Sequence, residues 1–153
     1  MAAIDETPAG KLALAQLHQI LGYQLAQAAI TTTGVFAQEV GQAFDIRPVE
    51  YTLLTLIAEN PLVSSAKLAK ALAVTKPNIT VWVDKLEARK LVQRRPSTSD
   101  KRATELRVTP SGAKLAAQAT IRLLAAEQAQ LNRLSAAERA MLIELLHKVS
   151  ISR

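Results

Sequence analysis

The chain of 153 residues contains no cysteine, which excludes disulfides, a thiol switch and any thiolate metal site. Aromatic residues are scarce: two Phe, two Tyr and the single Trp82 leave any ligand cavity to be walled mainly by aliphatic groups. No uninterrupted apolar run approaches the ~18 residues that a membrane crossing requires. The opening Met1-Ala2-Ala3-Ile4-Asp5 brings acid in place of an apolar run, so it does not read as a signal peptide, and a cytoplasmic location is expected. The only histidines, His18 and His147, stand far apart without a carboxylate pattern, so neither a metal nor another cofactor is expected. Nucleophile motifs, phosphate-binding glycine loops and His–acid arrangements are also missing, which argues against an enzyme.

What the chain does have is base, concentrated in one place. Of its formal charge of +6, residues 67–107 hold eleven Lys/Arg against Asp84, Glu87, Asp100 and Glu105, while the remainder holds eight basic and nine acidic residues. The excess therefore falls on one third of the chain, as expected of a surface that meets phosphates. A solvated basic helix pair would show the same excess by chance, so the pattern beneath the charge has to decide.

Apolar residues at Leu14, Leu17, Leu21, Leu25 and Ala28, then Val35, Phe36, Val40 and Ala43, follow a 3.6 period from Lys11 to about Phe44. The weak helix formers Thr31-Thr32-Thr33-Gly34 predict a kink or helix end there. Asp45-Ile46-Arg47-Pro48 stops this segment and opens a helix buried through Val49, Leu53, Leu54, Leu56 and Ile57. Ser64 or Ser65 caps a short helix carrying Leu68, Ala69 and Leu72. After the turn at Ala73-Val74, Thr75 is placed to cap a further helix through its hydroxyl, with Pro77 in the first turn. Two strands, 91–95 and 103–108, flank a loop of turn formers tipped with Lys101 and Arg102. Thr109-Pro110 and the capping box Ser135-Ala136-Ala137-Glu138 start the last two helices, the first running through Leu115, Ile121, Leu123, Leu124 and Leu131.

The expected fold is mainly α with a small β-hairpin wing, a winged helix-turn-helix lobe joined to a helical region. On the helix after Thr75, Ile79, Val83 and Leu86 fall on one face, and Lys76, Asn78, Thr80, Val81 and Lys85 on the other. Such an outer face suits a major groove, so Thr75, Lys76, Pro77, Asn78, Thr80, Val81 and Lys85 are the candidate contacts to double-stranded DNA. For Thr75 capping is the simpler role; for Asn78 capping and base contact weigh equally. On the wing, Arg94, Arg95, Lys101 and Arg102 are candidates for phosphate and minor-groove contact, with strand pairing the alternative for Arg94. Asp100 would repel phosphate and is read as holding Arg102 by a charge-assisted bond. Trp82 reads first as core filling and second as the wall of a ligand cleft, for which Tyr23 and Phe36 are the other candidates. Leu14, Leu17 and Leu21 with Met141, Leu142, Leu145, Leu146 and Val149 exceed what a small lobe needs to bury, which predicts a homodimer.

Leu68-Ala69, Leu72-Ala73-Val74-Thr75-Lys76, Val83-Asp84-Lys85-Leu86-Glu87, Leu91-Val92 with Arg94, Asp100-Lys101-Arg102, and Val108-Thr109-Pro110-Ser111-Gly112 together resemble the MarR-type winged-helix transcriptional regulators. The resemblance implies a single MarR-like chain over 1–153, with a DNA-binding lobe at 46–110 and dimerisation helices at 11–44 and 111–150. It further implies a repressor that reads a pseudo-palindrome and is released when a small molecule, often a phenolic or aromatic acid, enters a cleft between lobe and dimerisation helices. Two residues depart from the family pattern. Lys90 stands where glycine often precedes the first wing strand, which would place a lysine in left-handed backbone, and Val81 stands where arginine is frequent. The rival readings are a winged-helix module that docks an acidic protein and a repressor blind to small molecules.

Overall fold

Caps and apolar spacing place the helices of the computed structural model, which describes residues 6–98 and 104–151. Asp100, Lys101 and Arg102 lie outside the described residues. Helix α1 (Leu21–Phe36) starts later than its apolar period predicts, after a single 3₁₀ turn at Leu17–Gln19. The cause is local: Gly10 (φ 80°) and Lys11 (φ 52°) turn the chain in left-handed backbone, and Glu6 pairs with Ala13 across that turn. The kink expected at Thr31–Gly34 does not occur there. The Thr32 hydroxyl reaches the carbonyls of Ala28 and Ala29 (3.4 Å each) within an unbroken helix. The irregularity comes one turn later, as a π-helical stretch Ala37–Gly41 that leads into the last turn, α2 (Gln42–Phe44).

Asp45 (φ 48°) ends that helix in left-handed backbone, and the Ile46 N–H closes it on the Gly41 carbonyl at 3.2 Å. Helix α3 (Pro48–Glu59) opens with proline at its first position, and the Glu50 carboxylate accepts the Arg47 N–H at 3.0 Å. Strand β1 (Val63–Ser64) precedes α4 (Ser65–Leu72), which Ser64 caps by accepting the Lys67 N–H at 3.3 Å. Helix α5 (Lys76–Ala88) follows, then the wing strands β2 (Val92–Pro96) and β3 (Thr104–Val108). β3 is central in an antiparallel sheet of order β1-β3-β2, with Arg94 opposite Leu106 and Val63 opposite the same residue from the other side. A two-residue strand such as β1 is too short for an alternation signal, and the sequence shows only the hairpin.

Thr109 caps α6 (Pro110–Gln130), accepting the Gly112 N–H at 3.0 Å. At the start of α7 (Ala136–Ile151) the Ser135 hydroxyl and N–H both bond the Glu138 carboxylate (2.7 and 2.8 Å). Those bonds, the hydroxyl one foremost, hold its pKa below the ordinary carboxylate value.

The core lies where α3, α5 and the sheet meet. Leu53, Leu54, Ile57, Ile79, Leu86, Leu106, Val83 and Val92 are fully buried, each worth ~1.5–3 kcal/mol of transfer free energy. Helix α6 lays small residues, Gly112, Ala116 and Ala119, against this core with Leu115 and Leu123 partly buried beside them, while Ile121 and Leu124, two of the apolar residues along it, are exposed. Helix α7 carries the apolar stripe Met141, Leu142, Leu145, Leu146 and Val149 opposite Glu144, His147 and Lys148, and none of its described residues is buried.

Besides Leu62 (φ 68°) before β1, two helix ends of the lobe place side chains in left-handed backbone. Ala73 (φ 53°) ends α4 and Lys90 (φ 58°) follows α5, each with paired bonds back into its helix: Val74 N–H to Ala69 and Ala73 N–H to Lys70, then Leu91 N–H to Leu86 and Lys90 N–H to Glu87. The left-handed backbone expected for Lys90 is therefore present. Replacing Lys90 with glycine should stabilise the lobe by about 1 kcal/mol, the usual penalty of a side chain in that region. Urea unfolding checks this, and a midpoint that fails to rise would show that the lysine is unstrained.

Candidate nucleic-acid interface

Ile79, Val83 and Leu86 fix α5 to the core at i, i+4 and i+7, which leaves its opposite face outward. Lys76, Pro77, Asn78, Thr80 and Val81 are all exposed, Val81 at 52%, and Asn78, Val81 and Lys85 share one helical face by their spacing. Thr75 occupies the cap position, but its hydroxyl makes no cap bond, so the capping role expected of that hydroxyl is corrected. The Thr80 hydroxyl turns back to the Lys76 carbonyl (3.2 Å) and presents its methyl side outward. Asn78 and Lys76 are thus the polar side chains of the first turn best able to reach a base edge or a phosphate.

The wing is clamped to this helix. Arg94 donates to Asp84 (2.5 Å) and Glu87, and the Glu87 carboxylate also accepts the Arg94 backbone N–H at 3.2 Å. Between the alternatives for Arg94, the geometry favours the strand residue that pairs with its neighbours: two carboxylates spend its charge inside the lobe. Arg95, its neighbour, is exposed on the other face of β2. Near the wing's far end the Ser97 hydroxyl bonds Glu105 at 2.6 Å across the hairpin.

Behind α5 opens a cleft of about 780 Å³, bounded by α1, the π-helical stretch, the start of α3 and the second half of α5. Its charged lining is Arg47, Lys85, Arg89, Asp45 and Glu50. Glu50 is buried (7% exposed) and faces Lys85 at 3.9 Å, so Lys85 stands between groove face and cleft. Arg89 donates to the carbonyls of Asp45 (2.5 Å) and Phe44 (2.9 Å). Of the three aromatic residues assigned to a cleft, Phe36 lines this one, whereas Trp82 is half-buried against the core and Tyr23 sits farther up α1. Arg47, Glu50 and Arg89 escaped the sequence reading because the start of α3 and the end of α5, about forty residues apart, meet only in the fold. Among the described residues no metal-binding cluster exists and no helix is long and apolar enough to cross a membrane.

Comparison with known proteins agrees with this geometry. A family model described as MarR matches residues 46–104, the span from α3 to the wing. A Thauera aromatica protein assigned as transcriptional regulator of the hcr operon is 33% identical over 129 residues, covering 84% of this chain and 78% of its own length. The transcriptional repressor NicR of Pseudomonas putida is 29% identical over 150 residues, 97% of this chain and 89% of that protein. Among solved structures, the repressor CouR bound to a 23-mer DNA duplex superposes with a TM-score of 0.83 at 26% identity, covering 92% of this chain and 99% of that one. With the outward recognition helix, the clamped wing and these relatives taken together, the chain belongs to the MarR family of DNA-binding transcriptional regulators.

Proposed function

We propose that the protein is a homodimeric repressor of transcription that reads a pseudo-palindromic operator and is released by a small organic acid. The observation that carries this reading is the position of α5: its first turn faces outward, while its second half walls a cleft lined by Arg47, Lys85 and Arg89. An anion in the cleft and DNA on the groove face would therefore act on one helix, each altering the affinity for the other. The cleft sets apolar wall residues, Phe36, Ile46, Leu86 and Ala88, beside its cations, which suits a carboxylate with an apolar body. Two lobes related by a twofold axis would meet half-sites about one helical turn, ~10 bp, apart. NicR and CouR, both named as repressors, favour repression over activation.

In this reading Lys76, Pro77, Asn78, Thr80 and Val81 enter the major groove, where Val81 offers an apolar surface to a thymine methyl in place of a hydrogen bond. Thr75 and Lys85 flank that contact, and Arg95, Lys101 and Arg102 supply charge from the wing, with Asp100 supporting Arg102. The test is titration of an operator selected from a random pool, and of a scrambled duplex, at several salt concentrations. Asn78→Ala should lose ~1–3 kcal/mol on the operator and little on the scrambled duplex. Arg102→Ala should weaken both and make the salt slope shallower by about one unit. Equal losses on both duplexes would remove Asn78 from base readout. Failure of the wild type to bind any duplex, with capture of an acidic protein instead, would favour the interaction-module reading. A thermal-shift screen of aromatic acids tests the effector, since a ligand selective for the folded state raises Tm.

A further inference from the structure

We propose that Arg89 sets the separation of the two recognition helices, and hence the half-site spacing the dimer accepts. This rests on the reading of a dimer on two half-sites.

Arg89 is the first residue beyond α5. Its guanidinium donates from Nη1 to the Asp45 carbonyl (2.5 Å) and from Nη2 to the Phe44 carbonyl (2.9 Å). Those carbonyls belong to the end of the α1–α2 helix, where Asp45 at φ 48° turns the chain away and helical partners run out. A planar guanidinium holding two successive carbonyls fixes direction as well as distance; an ammonium on a flexible stem holds distance alone. Helix α5 packs chiefly on α3, α4 and β2, all within the lobe. The Arg89 bonds therefore form a direct tie from the rear of the recognition helix to the long helix assigned to the dimerisation arm.

The lever arm makes this tie consequential. At 1.5 Å per residue Asn78 lies about 16 Å along α5 from Arg89, so a ~12° pivot at Arg89 displaces it by about 3.4 Å. That displacement is the rise of one base pair. An intact latch should therefore restrict the dimer to one spacing, and a broken latch should admit its neighbours.

The experiment uses the full chain and a duplex selected from a random pool by the wild-type protein, with one or two base pairs inserted or deleted between the half-sites. The wild type should bind the selected spacing far more tightly than its neighbours. Arg89→Ala should lose about tenfold at the selected spacing, equivalent to ~1.4 kcal/mol, while neighbouring spacings come within about threefold of it. Arg89→Lys, which keeps the charge without the fork, should show the same flattened profile with an unchanged salt slope and unchanged binding to scrambled duplex. A wild-type profile in Arg89→Lys, or equal losses at all spacings in both variants, would overturn the proposal and leave Arg89 as a phosphate contact or a support of the fold. A wild type indifferent to spacing, or one that binds a single half-site as tightly, would overturn the two-half-site reading itself and this proposal with it.

Discussion

Replacing Gly112 by alanine should destabilise the lobe by about 3 kcal/mol, the upper end of what overpacking a rigid site produces. A Cβ built at this position would lie 2.0 Å from the Leu91 carbonyl oxygen, 2.9 Å from the Leu91 carbonyl carbon and 2.9 Å from Val108 Cγ2. Two of those atoms are backbone, so no rotamer change relieves the contact. Nor can the helix easily step back: Thr109 accepts the Gly112 N–H and donates to the Lys90 carbonyl at 2.7 Å, and the Thr109 N–H bonds the Leu91 carbonyl at 3.0 Å. Opening the gap for one methyl group would break the knot that joins the end of the α5 turn, the root of the wing and the start of α6. For a chain of this length the loss corresponds to a fall in Tm of roughly 6–12 °C. Thermal and urea unfolding measure it, and an unchanged midpoint would mean that strand and helix separate without penalty.

The second large effect concerns assembly. Met141, Leu142, Ile143, Leu145, Leu146, Val149 and Ile151 of α7 are all exposed, between 38% and 65%, and by their spacing Met141, Leu142, Leu145, Leu146 and Val149 form one apolar stripe opposite Glu144, His147 and Lys148. An exposed stripe of that extent is the kind of surface that the proposed second copy would cover. Leu17 and Leu21 at the other end of the chain are also exposed, at 48% and 55%, and extend the apolar surface available to that copy. Leu142→Asp combined with Leu145→Asp should convert the proposed dimer to a monomer of 16.5 kDa, visible by sedimentation at micromolar concentration. Operator affinity should then drop by about 100-fold or more, because the second half-site is no longer delivered at high effective concentration. The lobe core contains none of α7, so the variant's lobe should keep its fold. A double variant that remains dimeric would exclude α7 from the interface.

Much of the architecture was legible along the chain because its signals are local. The Ser64, Thr109 and Ser135 caps, the prolines at 48 and 110, and the i, i+4, i+7 run of Ile79, Val83 and Leu86 each need only neighbours within two turns. The same holds for the outward face of α5, since a helix with one buried stripe must expose the other. Two readings failed where packing between helices intervened, whereas the late start of α1 has a local cause. Thr31–Gly34 stays helical although largely exposed: α1 meets α6, the next residues Val35 and Phe36 are buried, and the weak propensity of four residues does not break the helix between them. Ile121 and Leu124 look like core by composition, yet α6 turns Gly112, Ala116 and Ala119 to the lobe, with Leu115 and Leu123 partly buried beside them, and leaves Ile121 and Leu124 exposed.

The sequence by itself determined the class of the protein: an α-rich lobe with a recognition helix and wing, and a basic surface concentrated on that lobe. These follow from periodicity, capping chemistry and charge, which act over a few residues. Only the tertiary structure decided what each cation does. Arg94 and Arg95 are adjacent and chemically identical, but β-strand alternation turns Arg94 toward Asp84 and Glu87 and leaves Arg95 exposed. Arg89 reads as one more surface charge until α5 and the end of α2, over forty residues apart, bring it to the carbonyls of Phe44 and Asp45. The physical reason is range: a guanidinium's partner is whatever the fold places within about 3 Å of it, and neither propensity nor periodicity carries that information.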